Sequence, residues 1–241
     1  MTNSPGDYLI YTILIAGAVL SVTRRKLTPI AGFTGFIVAI LIYKGSGYDG
    51  IAMLATFFIL GSFFTSWRSD QKQEIGIAEH DKGRRTAGQV IANGGVAALL
   101  SAIAWYHYSQ SEVLRLMIAG SFASATADTL SSELGSVYGR RFYDILTFKR
   151  VSAGPDGVVS LEGTAIGVGG ATLIALVYAL GFGFNYTMVV IVSAAGTIGN
   201  LADSLLGATL ERRNWIGNNM VNFLNTAAGA LVSCLLYFLE K

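Results

Sequence analysis

Two aspartates stand in apolar runs that lipid would ordinarily keep free of charge. Asp128 lies in Ser124-Ala-Thr-Ala-Asp-Thr-Leu-Ser-Ser-Glu-Leu-Gly135, and Asp203 in Gly199-Asn-Leu-Ala-Asp-Ser-Leu-Leu-Gly207. A carboxylate at the centre of a membrane helix costs roughly 2.5–3.5 kcal/mol on the insertion scale, so such residues point to function. Around Asp128, the residues Ser121, Ser124, Ser131 and Gly135 recur at steps of three and four and make one small, polar helical face. Glu133 is five residues from Asp128, on a different face and nearer the water. Asp203 shares a stripe with Gly196, Asn200 and Gly207; Asn218, Asn222, Asn225 and Gly229 repeat the spacing, and Arg85, Gln89 and Asn93 step by four. Carboxylates accompanied by amides suit a hard cation, Mg²⁺ or Na⁺, with Asp128, Glu133 and Asp203 as the candidate metal ligands.

The neighbouring basic segments decide between these ions. Lys82, Arg84 and Arg85 precede one apolar run, and Lys149-Arg-Val-Ser-Ala-Gly-Pro-Asp-Gly-Val-Val-Ser160 leads into another, bringing Lys149, Arg150, Gly154, Asp156 and Gly157. Cations and turn-forming glycines beside an acidic cluster are what a polyphosphate held through Mg²⁺ requires. The plainer explanation of any one basic pair is retention of Lys and Arg on the cytoplasmic side of a membrane. For the amides, the plainer explanation is hydrogen bonding between packed helices. No Gly-x-x-x-x-Gly-Lys-Ser/Thr loop occurs, so a conventional P-loop is excluded. Gly163, Gly167 and Gly170 lie at helical spacing in an apolar run and serve close helix approach. His80 and His107 have no partner at ligand spacing, and the single cysteine, Cys234, forms no thiolate cluster.

The elements that must position these residues are membrane helices. Of 241 residues, 52% are hydrophobic and 13% charged, and the mean hydropathy is +0.53. That is too little polar surface for a soluble globule. Runs long enough to cross roughly 30 Å of hydrocarbon are Tyr8 to Val22, Pro29 to Tyr43, Tyr48 to Trp67, Ala87 to Trp105, Glu112 to Gly135, Gly163 to Phe182, Thr187 to Thr209 and Asn219 to Leu239. The expected fold class is therefore all-α: one polytopic helix bundle over residues 1–241 with about eight transmembrane helices. The first two runs are short and also fit a tilted or re-entrant pair. With eight spans, alternate loops collect every Lys and Arg except Lys44, Arg115 and Lys241. That side is expected to be cytoplasmic, with both termini outside. Asp128, Asp203, Asn93 and Asn225 then share one depth, about 10 Å from the cytoplasmic ends. The likeness of Ala127-Asp-Thr-Leu130 to Ala202-Asp-Ser-Leu205 suggests internal duplication.

Four ordered motifs carry a family resemblance: Gly88-Gln-Val-Ile-Ala-Asn-Gly-Gly95, Ala125 to Gly135, Gly154-Pro-Asp-Gly-Val-Val-Ser-Leu-Glu-Gly-Thr164 and Gly199 to Ala208. Together they resemble the integral-membrane family that includes plant phytyl-phosphate kinase, from about residue 82 to 231. Residues 1–67 match only in being hydrophobic, so residues 82–231 are expected to be the motif-bearing catalytic core. The resemblance implies a CTP- or ATP-dependent, Mg²⁺-requiring kinase that converts a prenyl monophosphate to the diphosphate. Dolichol-type alcohol kinases and CDP-lipid synthases are more distantly similar; the paired-aspartate signature of the synthases is missing here. On this reading Asp128 and Asp203 hold Mg²⁺ on the donor phosphates, with Glu133 beside them. Asn93, Asn200, Asn222 and Asn225, with Gln89, orient phosphates or water. Lys82, Arg84, Arg85, Lys149 and Arg150 neutralise charge in the transition state. The implied partners are a prenyl-phosphate lipid, a nucleotide and the bilayer; no nucleic acid is expected, and a homo-oligomer is compatible. A secondary transporter would also carry repeats and polar residues within helices, but its site belongs at the midplane, whereas this cluster lies toward one end. A purely structural membrane protein leaves the aspartates without a purpose.

Overall fold

A computed structural model describes residues 5–68, 84–107 and 112–241. Seven helices appear among them: α1 (Pro5–Thr23), α2 (Pro29–Ser66), α3 (Ala87–Tyr106), α4 (Glu112–Tyr138), α5 (Leu161–Phe182), α6 (Tyr186–Leu206) and α7 (Asn218–Glu240). Six of them are long and apolar enough to cross a membrane; α4 is the exception. The chain is an all-α polytopic membrane bundle, as its composition predicts. Helix starts follow from local chemistry. Thr28 caps α2 ahead of Pro29, whose missing N–H is no loss in a first turn. Thr86 and Gln89 form a reciprocal capping box at α3. The Ser160 and Asn185 side chains accept from the first amides of α5 and α6.

The expected runs Pro29 to Tyr43 and Tyr48 to Trp67 form one helical element broken at Gly47, whose φ of 64° and ψ of −152° only glycine adopts readily. A straight helix of 38 residues would be about 57 Å long. Yet the ammonium of Lys26, just before its start, donates to the Ser62 carbonyl oxygen at 3.4 Å and to Ser66 Oγ at 2.5 Å, near its end. The two arms of α2 therefore fold back on each other about Gly47.

Helix α4 is the axis of the bundle. Fifteen of its residues are buried, and α2, α3, α5, α6 and α7 all pack against it. Its small residues permit this: a Cβ on Gly120 would lie 2.5 Å from the Gly229 carbonyl oxygen of α7. Large side chains such as Phe122, Leu116, Ile118, Ile174 and Val192 fill the space where the backbones diverge.

The connection between α4 and α5 holds a structure that the sequence reading did not anticipate. Strand β1 (Phe142–Asp144) pairs antiparallel with β2 (Arg150–Val151) on one side and β3 (Val158–Ser160) on the other. β3 runs directly into α5, so the small sheet is fastened to the end of a span. A second unanticipated feature is a π-helical turn, Gly207–Glu211, continuing α6; within it the Arg212 amide donates to the Gly207 carbonyl oxygen at 3.1 Å.

Candidate functional site

Where α4, α6 and α7 approach the sheet they enclose a cavity of about 490 Å³, within the size range of small-molecule sites. Asp128, Asp203, Asn200 and Asn222 line it from the helices, with Glu133, Gln89, Asn93 and Arg85 also in the lining and Gly154, Asp156 and Gly157 at the mouth. Aspartates from two helices with matching sequence surroundings thus meet: the Asp128 and Asp203 carboxyl groups lie close enough to interact directly. Two carboxyl groups so close repel unless a proton or a cation is held with them.

A polar scaffold fixes this pair. Asn225 is fully buried behind the cavity wall. Its Nδ2 donates to Asp203 Oδ1 at 3.2 Å, while its Oδ1 accepts a short bond from Ser124 Oγ. Ser131 Oγ donates to Asn200 Oδ1 at 3.1 Å, linking α4 to α6 again. Asn225 accordingly does what the plainer explanation of the amides supposed: it joins helices and orients a carboxylate. Asn93 donates to the Gln89 carbonyl oxygen at 3.0 Å, and its own Oδ1 is buried with no donor among the described residues. Gln89 Oε1 is occupied by the helix cap, accepting from the Thr86 amide at 2.8 Å.

Arg85 owes its position to α2. Its amide donates to the Lys26 carbonyl oxygen and its carbonyl oxygen accepts from the Thr28 amide. Its guanidinium lies over the Phe57 ring, 5.0 Å from the centroid. A Cβ on Gly61 would stand only 3.2 Å from Arg85 Cζ, so the bare backbone of α2 makes room for the guanidinium.

The mouth is shaped by the turn Ala153–Gly157. Gly157 adopts φ 72°, and a Cβ there would lie 2.7 Å from Ala208 Cα, so the turn rests against the π-helical segment. Arg212 clamps the two together: Nε donates to the Asp156 carbonyl oxygen at 2.6 Å and Nη1 meets Asp144 Oδ2 at 2.5 Å. The Arg212 hydrogen bond, with those from Thr147, holds the Asp144 carboxyl down at about 2.

Several expected residues are not brought to the cavity. Lys149 and Arg150 are exposed on and beside the outer strand β2 and do not line the cavity, whose lining resumes at Ala153. Arg84 precedes α3 outside the lining, and Lys82 lies outside the described residues. Among the described residues no three His, Cys, Asp or Glu side chains converge as a metal-holding group. Asp128 and Asp203 are thus a pair, with Glu133 apart from them on the wall. Conversely, Glu211, Ser132, Ser204 and Thr65 line the cavity without having been singled out. Glu211 was within reach of the sequence, because the stripe Asn200, Asp203, Gly207 continued by four gives Glu211.

The integral membrane protein DUF92 family model matches residues 12–230, which takes in part of α1, all of α2 and the four motifs. Protein VTE6, chloroplastic, of Arabidopsis thaliana is 33% identical over 230 residues, covering 93% of this chain and 68% of that one. An uncharacterized membrane protein of Methanocaldococcus jannaschii is 32% identical over 226 residues, covering 93% and 92%. Protein PGR of Arabidopsis thaliana is 31% identical over 237 residues, covering 88% and 82%. No solved structure matches. Matched over residues 12–230, most of its length, the chain belongs to the integral membrane protein DUF92 family.

Proposed function

We propose that this protein is a membrane phosphotransferase that moves the γ-phosphate of CTP or ATP to a prenyl monophosphate, giving the diphosphate. The observation that carries the reading is the Asp128–Asp203 pair on the wall of a cavity that also presents Arg85, the amides of Gln89, Asn93, Asn200, Asn218 and Asn222, the carboxyl groups of Glu133, Asp156 and Glu211, and a glycine-rich turn. That donor set fits Mg²⁺. In phosphoryl transfer this ion takes one or two carboxylates and completes its shell with phosphate oxygens and water, so a third protein carboxylate is not needed. Asp128 and Asp203 would hold it, and when bound it supplies charge neutralisation on the transferring phosphoryl group. Arg85 adds positive charge to the lining, and Asn93 Oδ1 and Asn222 offer polar contacts to donor or acceptor. The reaction forms a bond from an acceptor phosphate oxygen to the γ-phosphorus and breaks the bond to the β–γ bridging oxygen, releasing the nucleoside diphosphate. An acceptor phosphate monoester, with a second pKa of about 6, is largely dianionic at neutral pH and needs no general base. Its prenyl tail lies among the helices, where the surrounding medium is already hydrocarbon. The basic residues gathered at the cavity end of the bundle support a cytoplasmic site.

Glu211 favours a second reading, phosphorylation of a prenyl alcohol, because a carboxylate apart from the Asp128–Asp203 pair is available to take a hydroxyl proton. Purified protein supplied with γ-labelled CTP or ATP and matched prenyl alcohols and monophosphates separates the two. Monophosphates are expected to react at least tenfold faster, a difference of about 1.4 kcal/mol in barrier. Faster turnover of the alcohol, abolished by Glu211→Gln, would establish the alcohol kinase. A CDP-linked lipid with release of diphosphate would establish a synthase.

A further inference from the structure

Lys149 and Arg150 stand outside the cavity, and their surroundings suggest another use. They follow Phe148, which is 79% exposed at the tip of the β1–β2 hairpin and held there by a left-handed backbone, φ 54°. The segment after the π-helical turn presents Trp215, 68% exposed and preceded by a second left-handed residue, Asn214, φ 57°. Arg213 lies over the Trp215 ring, 5.4 Å from the centroid. These two loops are adjacent, because Asp144 opens the hairpin turn, accepting from the Leu146 and Thr147 amides, and pairs with Arg212 in the other loop. Neither segment 145–155 nor segment 212–220 contains an acidic residue.

Their height relative to the bilayer is set by the spans they adjoin. Trp215 is four residues beyond Glu211, where a candidate span ends, and the sheet leads directly into Leu161, the first residue of another. Aromatic rings with Arg and Lys beside them, a few residues from the ends of spans, are the composition of a membrane–water interface. The loops turn their apolar side chains outward where a water-facing loop would hide them.

We propose that the Phe148 hairpin and the Trp215 loop together form an interfacial anchor, in which the two rings enter the headgroup layer and Lys149, Arg150 and Arg213 bind anionic phospholipid headgroups. Only Ser152 separates Val151 from the Ala153–Gly157 turn at the cavity mouth. The anchor therefore fixes the mouth against the membrane surface, whatever reaction the cavity performs.

The test uses full-length protein in nanodiscs with Trp67 and Trp105 replaced by Phe, leaving Trp215 as the only tryptophan. Discs contain phosphatidylcholine alone or phosphatidylcholine with phosphatidylglycerol, each with and without lipids brominated near the headgroup end of the acyl chain. Trp215 emission is expected to be quenched by the brominated lipid and shielded from iodide, more strongly in the anionic discs. Lys149→Gln, Arg150→Gln and Arg213→Gln combined should reduce that quenching at least about twofold, with an unchanged melting profile in detergent. Free access of iodide to Trp215 in both discs would overturn the anchor. Equal quenching in both lipids would overturn the anionic-headgroup assignment. Shielding that appears only at high protein-to-lipid ratio would overturn it in favour of a second copy of this chain. No arm requires nucleotide or acceptor, so the result is independent of the phosphotransferase reading.

Discussion

The two halves of α4 face the same neighbouring helices but leave different amounts of space. Toward Glu112, small residues draw the backbones together until Gly120 and Gly229 touch and Ser233 bonds within its own helix, to the Gly229 carbonyl oxygen. Toward Tyr138 the stripe is just as small, and Gly135 abuts Gly163 of α5, but Ser124 and Ser131 donate to the side-chain amide oxygens of Asn225 and Asn200. Small residues close both halves; in this one they also seat a polar framework with a cavity beside it. Substitutions should therefore damage catalysis in one half and assembly in the other.

The sharpest test of that division is Asp128→Asn or Asp203→Asn. Each should insert and unfold like the parent while phosphoryl transfer falls by roughly 10²–10³-fold, about 2.7–4 kcal/mol, measured as kcat/KM with γ-labelled nucleotide. Wild-type turnover in either variant would remove that residue from the proposed metal site. The opposite pattern is expected of Gly120→Val, whose branched side chain meets α7 backbone. Stability measured by denaturation from mixed micelles should drop by roughly 1–3 kcal/mol, and activity should be lost in proportion to the folded fraction and not beyond it.

Gly61→Ala probes the cavity half from α2, through Arg85. The new methyl meets the far end of a flexible side chain, so Arg85 should move while the fold persists. KM for the nucleotide or the monophosphate is expected to rise by about three- to tenfold, roughly 0.6–1.4 kcal/mol. An unchanged KM would show that Arg85 does not contact either substrate. The smallest effect concerns the clamp at the mouth. Because the Asp144 carboxyl is held below its ordinary 3.8, at about 2, its ion pair stabilises the fold above about pH 4 and that contribution is lost as pH falls through about 2. Asp144→Asn should accordingly melt below the parent at pH 7, with the gap narrowing between pH 4 and pH 2. A gap that widened on acidification would contradict this sign.

The bundle and several of the residues that line the cavity were legible in the sequence, for reasons that particular residues make plain. Apolar runs mark membrane helices because the bilayer demands length and hydropathy. Asp128 and Asp203 could be paired in advance because helical periodicity fixes both face and depth. The same logic placed Asn225 at the right level but could not tell a residue that touches the cavity from one that orients Asp203 from behind. Lys149 and Arg150 do not line the cavity, a placement that charge alone gives no means to foresee. Their strand pairs through two residues, too short for alternation to show which face is buried. Glu211 was overlooked because it stands beside Arg212 and Arg213 and reads as loop; the π-helical turn keeps it on the stripe of Asp203.

Helix α4 has a consequence for how the protein is made. It is the long helix whose composition does not by itself favour lipid, and it is the one every inner neighbour needs. A nascent chain ending at Tyr138 would have little cause to leave this segment in the bilayer; its stay there depends on α5, α6 and α7 arriving to surround it. Biogenesis must then hold α4 beside the insertion machinery until synthesis has passed α7, so the residues that form the site are among the last to become settled in the membrane.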